Sequence, residues 1–204
     1  MAKRDKNWLQ RQQRDTYVKQ ARESHYRSRA VYKLMEIDKR DRLFIKADTV
    51  VDVGSSPGSW SQYAAEKTGS KGRIVAVDIL PMTPVKNVEF IHGDFTEESI
   101  ILACQQALSG SKADLVMSDI APNLTGVRTT DQARMIHLAE LVLGFSREAL
   151  NEGGDLLIKL FQGEGTDQYQ RELKEFFQKL MVRKPKASRA ESRELYVLAR
   201  GYKV

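Results

Sequence analysis

Lys159 stands in Gly154 to Leu160, GDLLIKL, an apolar run that reads as a buried strand. An ammonium in such a run is costly without partners. Drawing a proton from a substrate hydroxyl is one use for an amine placed there; blunting an exposed sheet edge is another. A carboxylate, Asp119 in SDIAPN (Ser118 to Asn123), follows a second apolar run, Asp114 to Met117. The third feature is Val50 to Trp60, VVDVGSSPGSW, where a β-branched run leads into a turn in which Gly54 and Gly58 bracket Ser55, Ser56 and Pro57. A glycine turn at the carboxyl edge of a parallel sheet is where open α/β folds bind ligands, although any tight strand-to-helix connection uses glycines too.

The spacing argues against a dinucleotide. A pyrophosphate site would show GxGxxG opening the helix, whereas here Gly54 is followed by two serines and the next glycine comes four residues on. The turn is closer to the DxGxxPG form that folds around the methionine part of S-adenosylmethionine. Arg73 to Val77, RIVAV, reads as a strand ending in Asp78, 24 positions after Gly54. A carboxylate there can accept from both ribose hydroxyls, as it also can in nicotinamide enzymes. Val88 to Ile91 is a further strand that runs into Asp94 and Phe95. The pair fits an adenine clamp, the acid accepting from the exocyclic amine and the ring covering the base. Cys104 is the only cysteine and falls on a helix, which argues against cysteine-dependent methylation of pyrimidine carbon 5. Asp119-Ile120-Ala121-Pro122 lacks the aromatic that amino-group methylation of bases uses after this strand. An oxygen acceptor remains, with Lys159 as the candidate base.

These residues need a scaffold, and the periodicity supplies one. Trp8 to Glu23 and Arg29 to Lys39 read as helices, the second with Ala30, Leu34 and Ile37 inward and Arg29, Lys33, Glu36 and Arg40 on its polar face. Ser59 to Thr68 is a helix that Gly69 can stop. Glu97 to Leu108 and Asp131 to Leu150 are helices as well, and Asp167 to Leu180 carries Tyr169, Leu173, Phe176, Phe177 and Leu180 on one face. Arg193 to Arg200, RELYVLAR, closes the sheet with Glu194 at its start. Strands alternating with helices predict a parallel-rich α/β sandwich of three layers. Residues 1–28 read as a basic extension, partly disordered or helical, and 29–204 as one domain.

At 204 residues and 41% hydrophobic content the chain can bury a core. It shows no long apolar span and no secretory leader, and a lone cysteine suits a reducing cytoplasm. His25, His92 and His137 are too scattered for a metal site, so none is expected. The net charge of +6 is uneven: +7 over residues 1–33, +5 over 183–203 and −6 between them. Basic ends with Trp8, Tyr17, Tyr26 and Tyr32 interspersed suit a polyanion such as RNA, or simply form a solvated face. Arg27, Arg29, Arg189 and Arg193 are the candidate phosphate contacts.

Taken together, Lys33 in RSRAVYKL, Asp119 in MSDIAPN, Lys159 in IKLFQGEG and Glu194 in SRELYV resemble the K-D-K-E tetrad of the FtsJ/RrmJ-like 2′-O-ribose methyltransferases. The resemblance runs from about Trp8 to Arg200 with four motifs in family order. It departs at the cofactor turn, GSSPGSW here where close relatives tend to read GAAPGGW. It implies a Rossmann-like class I S-adenosylmethionine-dependent fold with a mostly parallel seven-stranded sheet flanked by helices, and cofactor contacts from Gly58, Trp60, Asp78, Asp94 and Asp119. It further implies methylation of large-subunit ribosomal RNA at a uridine of the A loop by a monomeric cytoplasmic enzyme. On this reading Asp119 and Lys33 position the hydroxyl and Lys159, and Glu194 orients Lys159 through a hydrogen bond. Transfer RNA or an RNA cap as substrate, and a non-catalytic RNA binder on the same fold, are the alternatives.

Overall fold

The structure is a computed structural model, and it describes residues 15–189 and 192–204. Residues 1–14 of the expected basic extension, with the expected helix start at Trp8, lie outside these. The elements in chain order are α1 (Thr16–Glu23), α2 (Val31–Asp41), β1 (Thr49–Val53), α3 (Ser59–Thr68), β2 (Arg73–Asp78), β3 (Val88–His92), α4 (Glu98–Ala107), β4 (Ala113–Ser118), α5 (Arg128–Ala149), β5 (Leu150–Phe161), α6 (Thr166–Phe176), β6 (Phe177–Arg183) and β7 (Glu194–Tyr202). Asp15 caps α1, its carboxylate accepting from the Tyr17 N–H at 3.0 Å. Gly69 ends α3 at φ +67°, a left-handed conformation that favours glycine.

One sheet of seven strands in the order β3-β2-β1-β4-β5-β7-β6 organises the chain. The strands β1 to β5 run parallel, and β7 runs antiparallel between β5 and β6. Alternate side chains on each strand feed two cores, which is why these strands read as continuous apolar runs. One face packs Val51, Val75, Val116 and Ile158 against α4, α5 and α6 through Cys104, Met135, Val142 and Leu173. The other packs Val50, Ile74, Met117, Leu157 and Tyr196 against α2 and α3 through Leu34, Ile37, Trp60 and Tyr63.

Two expectations change. The last helix stops at Phe176, and Phe177–Arg183 is an edge strand that pairs with β7. Lys159 is not at an edge, because β5 lies between β4 and β7, so blunting a sheet edge is not its role. Strand order reverses between β1 and β4, and a crevice opens at the carboxyl ends of the strands flanking such a switch.

Candidate active site

The switch point positions the site. Gly54 follows β1 with φ +80°, and a Cβ there would sit 2.6 Å from the Cα of Ile120, one residue past Asp119. The glycine therefore lets the loops after β1 and β4 touch. The turn is fixed by the Gly54 and Ser55 N–H groups, which donate to the Val77 carbonyl at 2.9 and 3.1 Å. Ser56 donates its N–H to the Asp78 carboxylate at 2.8 Å. Of the serines that depart from the family pattern, Ser56 reaches the Pro81 carbonyl and Ser59 pairs with Ser28. The buried Ser55 hydroxyl has no partner among the described residues.

A cavity of about 520 Å³ opens here, within the range of small-molecule sites. Of the expected cofactor contacts, Gly54, Asp78, Asp94, Phe95 and Asp119 are among its lining residues. Each Asp78 oxygen accepts one backbone N–H, from Ser56 and from Leu80, so each keeps a lone pair for a ligand hydroxyl. Asp94 uses one oxygen for the Thr96 N–H and hydroxyl, which leaves the other without a partner among the described residues.

Three expected contacts sit differently. The Phe95 ring is buried edge-on against Phe145 and does not lie open to cover a base. Ile79 and Leu80, 57% and 59% exposed on the cavity wall, offer that apolar surface instead. The Trp60 indole is turned into the core on the far face of the sheet, donating to the Ala30 carbonyl at 2.9 Å and packing on Tyr196. Gly58 is not among the cavity's lining residues. Its φ of +104° favours glycine, and the missing Cβ lets Arg27 and Met82 close over it, where a Cβ would meet their side chains at 2.9 and 2.7 Å.

Beside this cavity the four tetrad side chains converge from four elements. Lys33 comes from the first turn of α2, Asp119 from the end of β4, Lys159 from β5 and Glu194 from the start of β7. Lys159 Nζ lies 3.0 Å from Asp119 Oδ1 and also donates to the Asp119 carbonyl. Lys33 Nζ lies 2.7 Å from Glu194 Oε1. The expected Glu194–Lys159 hydrogen bond is therefore replaced by two pairs, Lys159 with Asp119 and Lys33 with Glu194. A fifth side chain joins them that the sequence reading missed. Tyr196, across the ladder from Lys159, donates its hydroxyl to Asp119 Oδ1 at 2.7 Å, and Lys33 lies over its ring at 5.8 Å. Burial would push the Asp119 carboxyl up, but Lys159, then Lys33 and the Tyr196 hydroxyl, together hold it below its ordinary value. Burial is likewise outweighed at Glu194, chiefly by Lys33. Both carboxylates are thus ionised at neutral pH and stand as the partners of the two lysines.

The arginines expected on phosphates divide. Arg27 donates to the carbonyls of Pro57, Thr83 and Pro84 at 3.1, 2.5 and 2.6 Å, tying the turn after β1 to the loop after β2. Arg29 bridges Asp15 and the Ala187 carbonyl beneath Tyr17. Both are occupied within the protein. Arg189 and Arg193 are exposed on the segment leading into β7. Among the described residues no group of three or more His, Cys, Asp or Glu could hold a metal ion. No described helix is long and apolar enough to cross a membrane.

The chain is similar to known proteins along nearly its whole length. The FtsJ-like methyltransferase family model matches residues 26–202. Curated relatives named Ribosomal RNA large subunit methyltransferase E include one from Alkalilimnicola ehrlichii, 52% identical over 97% of this chain and 94% of its own. Another, from Pseudomonas aeruginosa, is 48% identical over 99% and 98%. A crystal structure of a Plasmodium falciparum protein described as a candidate ribosomal RNA methyltransferase superposes with a TM-score of 0.77 at 29% identity, covering 87% of this chain and 98% of that one. Human methyltransferase-like protein 13, solved with SAH, shares the fold at a TM-score of 0.58 and 17% identity. With the family model spanning nearly the whole described chain and relatives at about half identity along their full length, the chain belongs to the FtsJ-like methyltransferase family.

Proposed function

We propose that the protein methylates a ribose 2′ oxygen of large-subunit ribosomal RNA, with a uridine of the A loop as acceptor, late in subunit assembly. S-adenosylmethionine supplies the electrophilic methyl group. The observation that carries this reading is the half-buried cluster of two lysines and two carboxylates, with Lys159 at its buried end, closed by contacts of 2.7 and 3.0 Å, next to a cavity that Asp119 shares. The cavity suits that cofactor: Asp78 has lone pairs for ribose hydroxyls, Asp94 a free oxygen for an exocyclic amine, and Ile79 and Leu80 apolar surface for a purine. The curated relatives' names support the ribosomal substrate.

In the transfer step the neutral Lys159 amine receives the proton leaving O2′ as that oxygen takes the methyl group, and the ammonium so formed is balanced by Asp119. Asp119 fixes the Lys159 amine through its carbonyl and carboxylate, and the Tyr196 hydroxyl fixes Asp119 in turn. Lys33, braced by Glu194, places a positive charge where the acceptor oxygen develops negative charge. Much of the acceleration comes from holding the acceptor in line. Exposed Arg189 and Arg193 supply phosphate contacts near the tetrad. The reading takes the protein to act as a monomer in the cytoplasm.

Incubation with labelled S-adenosylmethionine tests this on large-subunit particles, naked ribosomal RNA and transfer RNA. Incorporation into the ribosomal substrates is expected. Label in transfer RNA alone, or in none of the three, would contradict the proposal.

Arg27 gives a separate prediction. Because its guanidinium joins the two loops that flank the cavity, Arg27→Ala should raise the Kd for S-adenosylmethionine about tenfold, the loss of one to two charge-assisted hydrogen bonds. Titration calorimetry on the RNA-free protein measures it. An unchanged Kd with weakened RNA binding would return Arg27 to the phosphate contacts.

A further inference from the structure

The loop between β4 and α5 carries an apolar surface that neither the tetrad nor the cavity uses. Its first five residues, Asp119 to Asn123, line the cavity. Immediately beyond them Leu124 and Val127 stand 66% and 55% exposed. Two large apolar side chains on one short loop, both in water, are an unusual expense beside a polar site.

The loop is held rigidly. Asp131, in the first turn of α5, accepts from the Thr125 N–H at 2.7 Å, the Thr125 hydroxyl at 2.8 Å and the Gly126 N–H at 3.1 Å. The Thr125 hydroxyl in turn accepts from the Val127 N–H at 3.2 Å, and Arg134 reaches the Asn123 carbonyl. Hydrogen bonds thus present Leu124 and Val127 in a fixed pose, and exposed Arg128 and Arg134 stand beside them.

Resting on the methyl-transfer reading, we infer that Leu124 and Val127 form a stacking platform for nucleobases next to the acceptor nucleotide. Bringing a ribose O2′ to a buried amine draws that nucleotide out of its stack, and the neighbouring bases then need apolar surface to replace what they lost. Flanking arginines complement the phosphates joining those bases, which favours RNA over an apolar protein partner. A rigid loop suits this task, since little ordering remains to be done on binding.

The test compares wild type with the Leu124→Ser/Val127→Ser variant and with Leu124→Phe, full chains acting on large-subunit particles, after thermal unfolding shows equal stability. The double variant should raise KM for particles about tenfold, from the apolar contact with the bases that is lost, with kcat and the Kd for S-adenosylmethionine unchanged. Leu124→Phe, which keeps a stacking surface, should stay at or below the wild-type KM. An unchanged KM in the double variant would overturn the inference, as would a Phe variant as poor as the double variant. A weaker cofactor Kd with unchanged KM would make the loop a cofactor cover instead. Transfer by the wild type separates these outcomes from failure of the underlying reading, because an inactive wild type removes that reading itself.

Discussion

Lys159→Ala should lower turnover on large-subunit particles by about a thousandfold, within the range that positioned proton transfer contributes, and leave the Kd for S-adenosylmethionine within about twofold of wild type. The asymmetry follows from where the amine lies. Lys159 contacts the Asp119 carboxylate and carbonyl but is not among the residues lining the cavity. Its loss removes the proton acceptor while Gly54, Asp78, Asp94 and Ile79 keep their places. Asp119 retains the Tyr196 hydroxyl and the nearby Lys33 charge, so its ionised form is still supported. Single-turnover transfer from pre-loaded enzyme, measured beside calorimetric cofactor binding, gives both quantities. Transfer near the wild-type rate would remove Lys159 as the base. A matching loss of cofactor affinity would make it part of the binding site.

The second large effect is on stability and comes from Asp52 in the middle of the site's scaffold. This carboxyl on β1 is fully buried, and one oxygen accepts from the Ser61 hydroxyl at 2.6 Å. The other has no partner among the described residues. Burial first, then the charges of Asp119 and Asp78, push its pKa up to about 7 against the Ser61 hydrogen bond. A folded-state pKa above the unfolded one means that the native state holds a proton the unfolded chain gives up. The associated stability is complete below pH about 4, declines by about 1.4 kcal/mol per pH unit and levels off once the pH passes about 7. Asp52→Asn keeps a Ser61 acceptor and has no proton to lose. Its unfolding free energies from urea titrations between pH 4 and 8 should therefore gain on the wild type as pH rises, by several kcal/mol at the top of the window. Asp119 and Glu194, whose lowered pKa values give the opposite slope, are present in both proteins and cancel in the comparison. Parallel pH profiles would show that Asp52 is already ionised in the native state.

Much of this molecule could be read from its residues because parallel strands buried on both faces leave an unbroken apolar trace. Val50 to Val53, Arg73 to Val77 and Gly154 to Leu160 were legible for that reason, and with them Lys159 as an intruder. The edge strand β6 was not. Leu173, Phe176, Phe177 and Leu180 continue a helical spacing, and only pairing with β7 turns Phe177–Arg183 into a strand. Such pairing is a long-range fact with no local signature. The same limit explains the site. Four charged groups could be expected to converge, but which amine takes which carboxylate depends on the β5–β7 register. That register sets Tyr196 opposite Lys159 and Glu194 opposite Phe161. Tyr196 drew no attention within RELYVLAR, and Trp60 was expected at the cofactor, because a sequence does not show which face of a sheet a ring takes. Nor does an arginine announce that three carbonyls already occupy it, as Arg27 shows. Ile79 and Leu80 did leave a signal, two apolar residues past a strand end, which the acid before them overshadowed.

The central claim concerns one atom, the ribose O2′ from which Lys159 takes a proton. Digestion of modified ribosomal RNA to nucleosides, followed by mass spectrometry, reports where the new methyl group sits. The account predicts 2′-O-methyluridine. A methyl group carried on the base would contradict it.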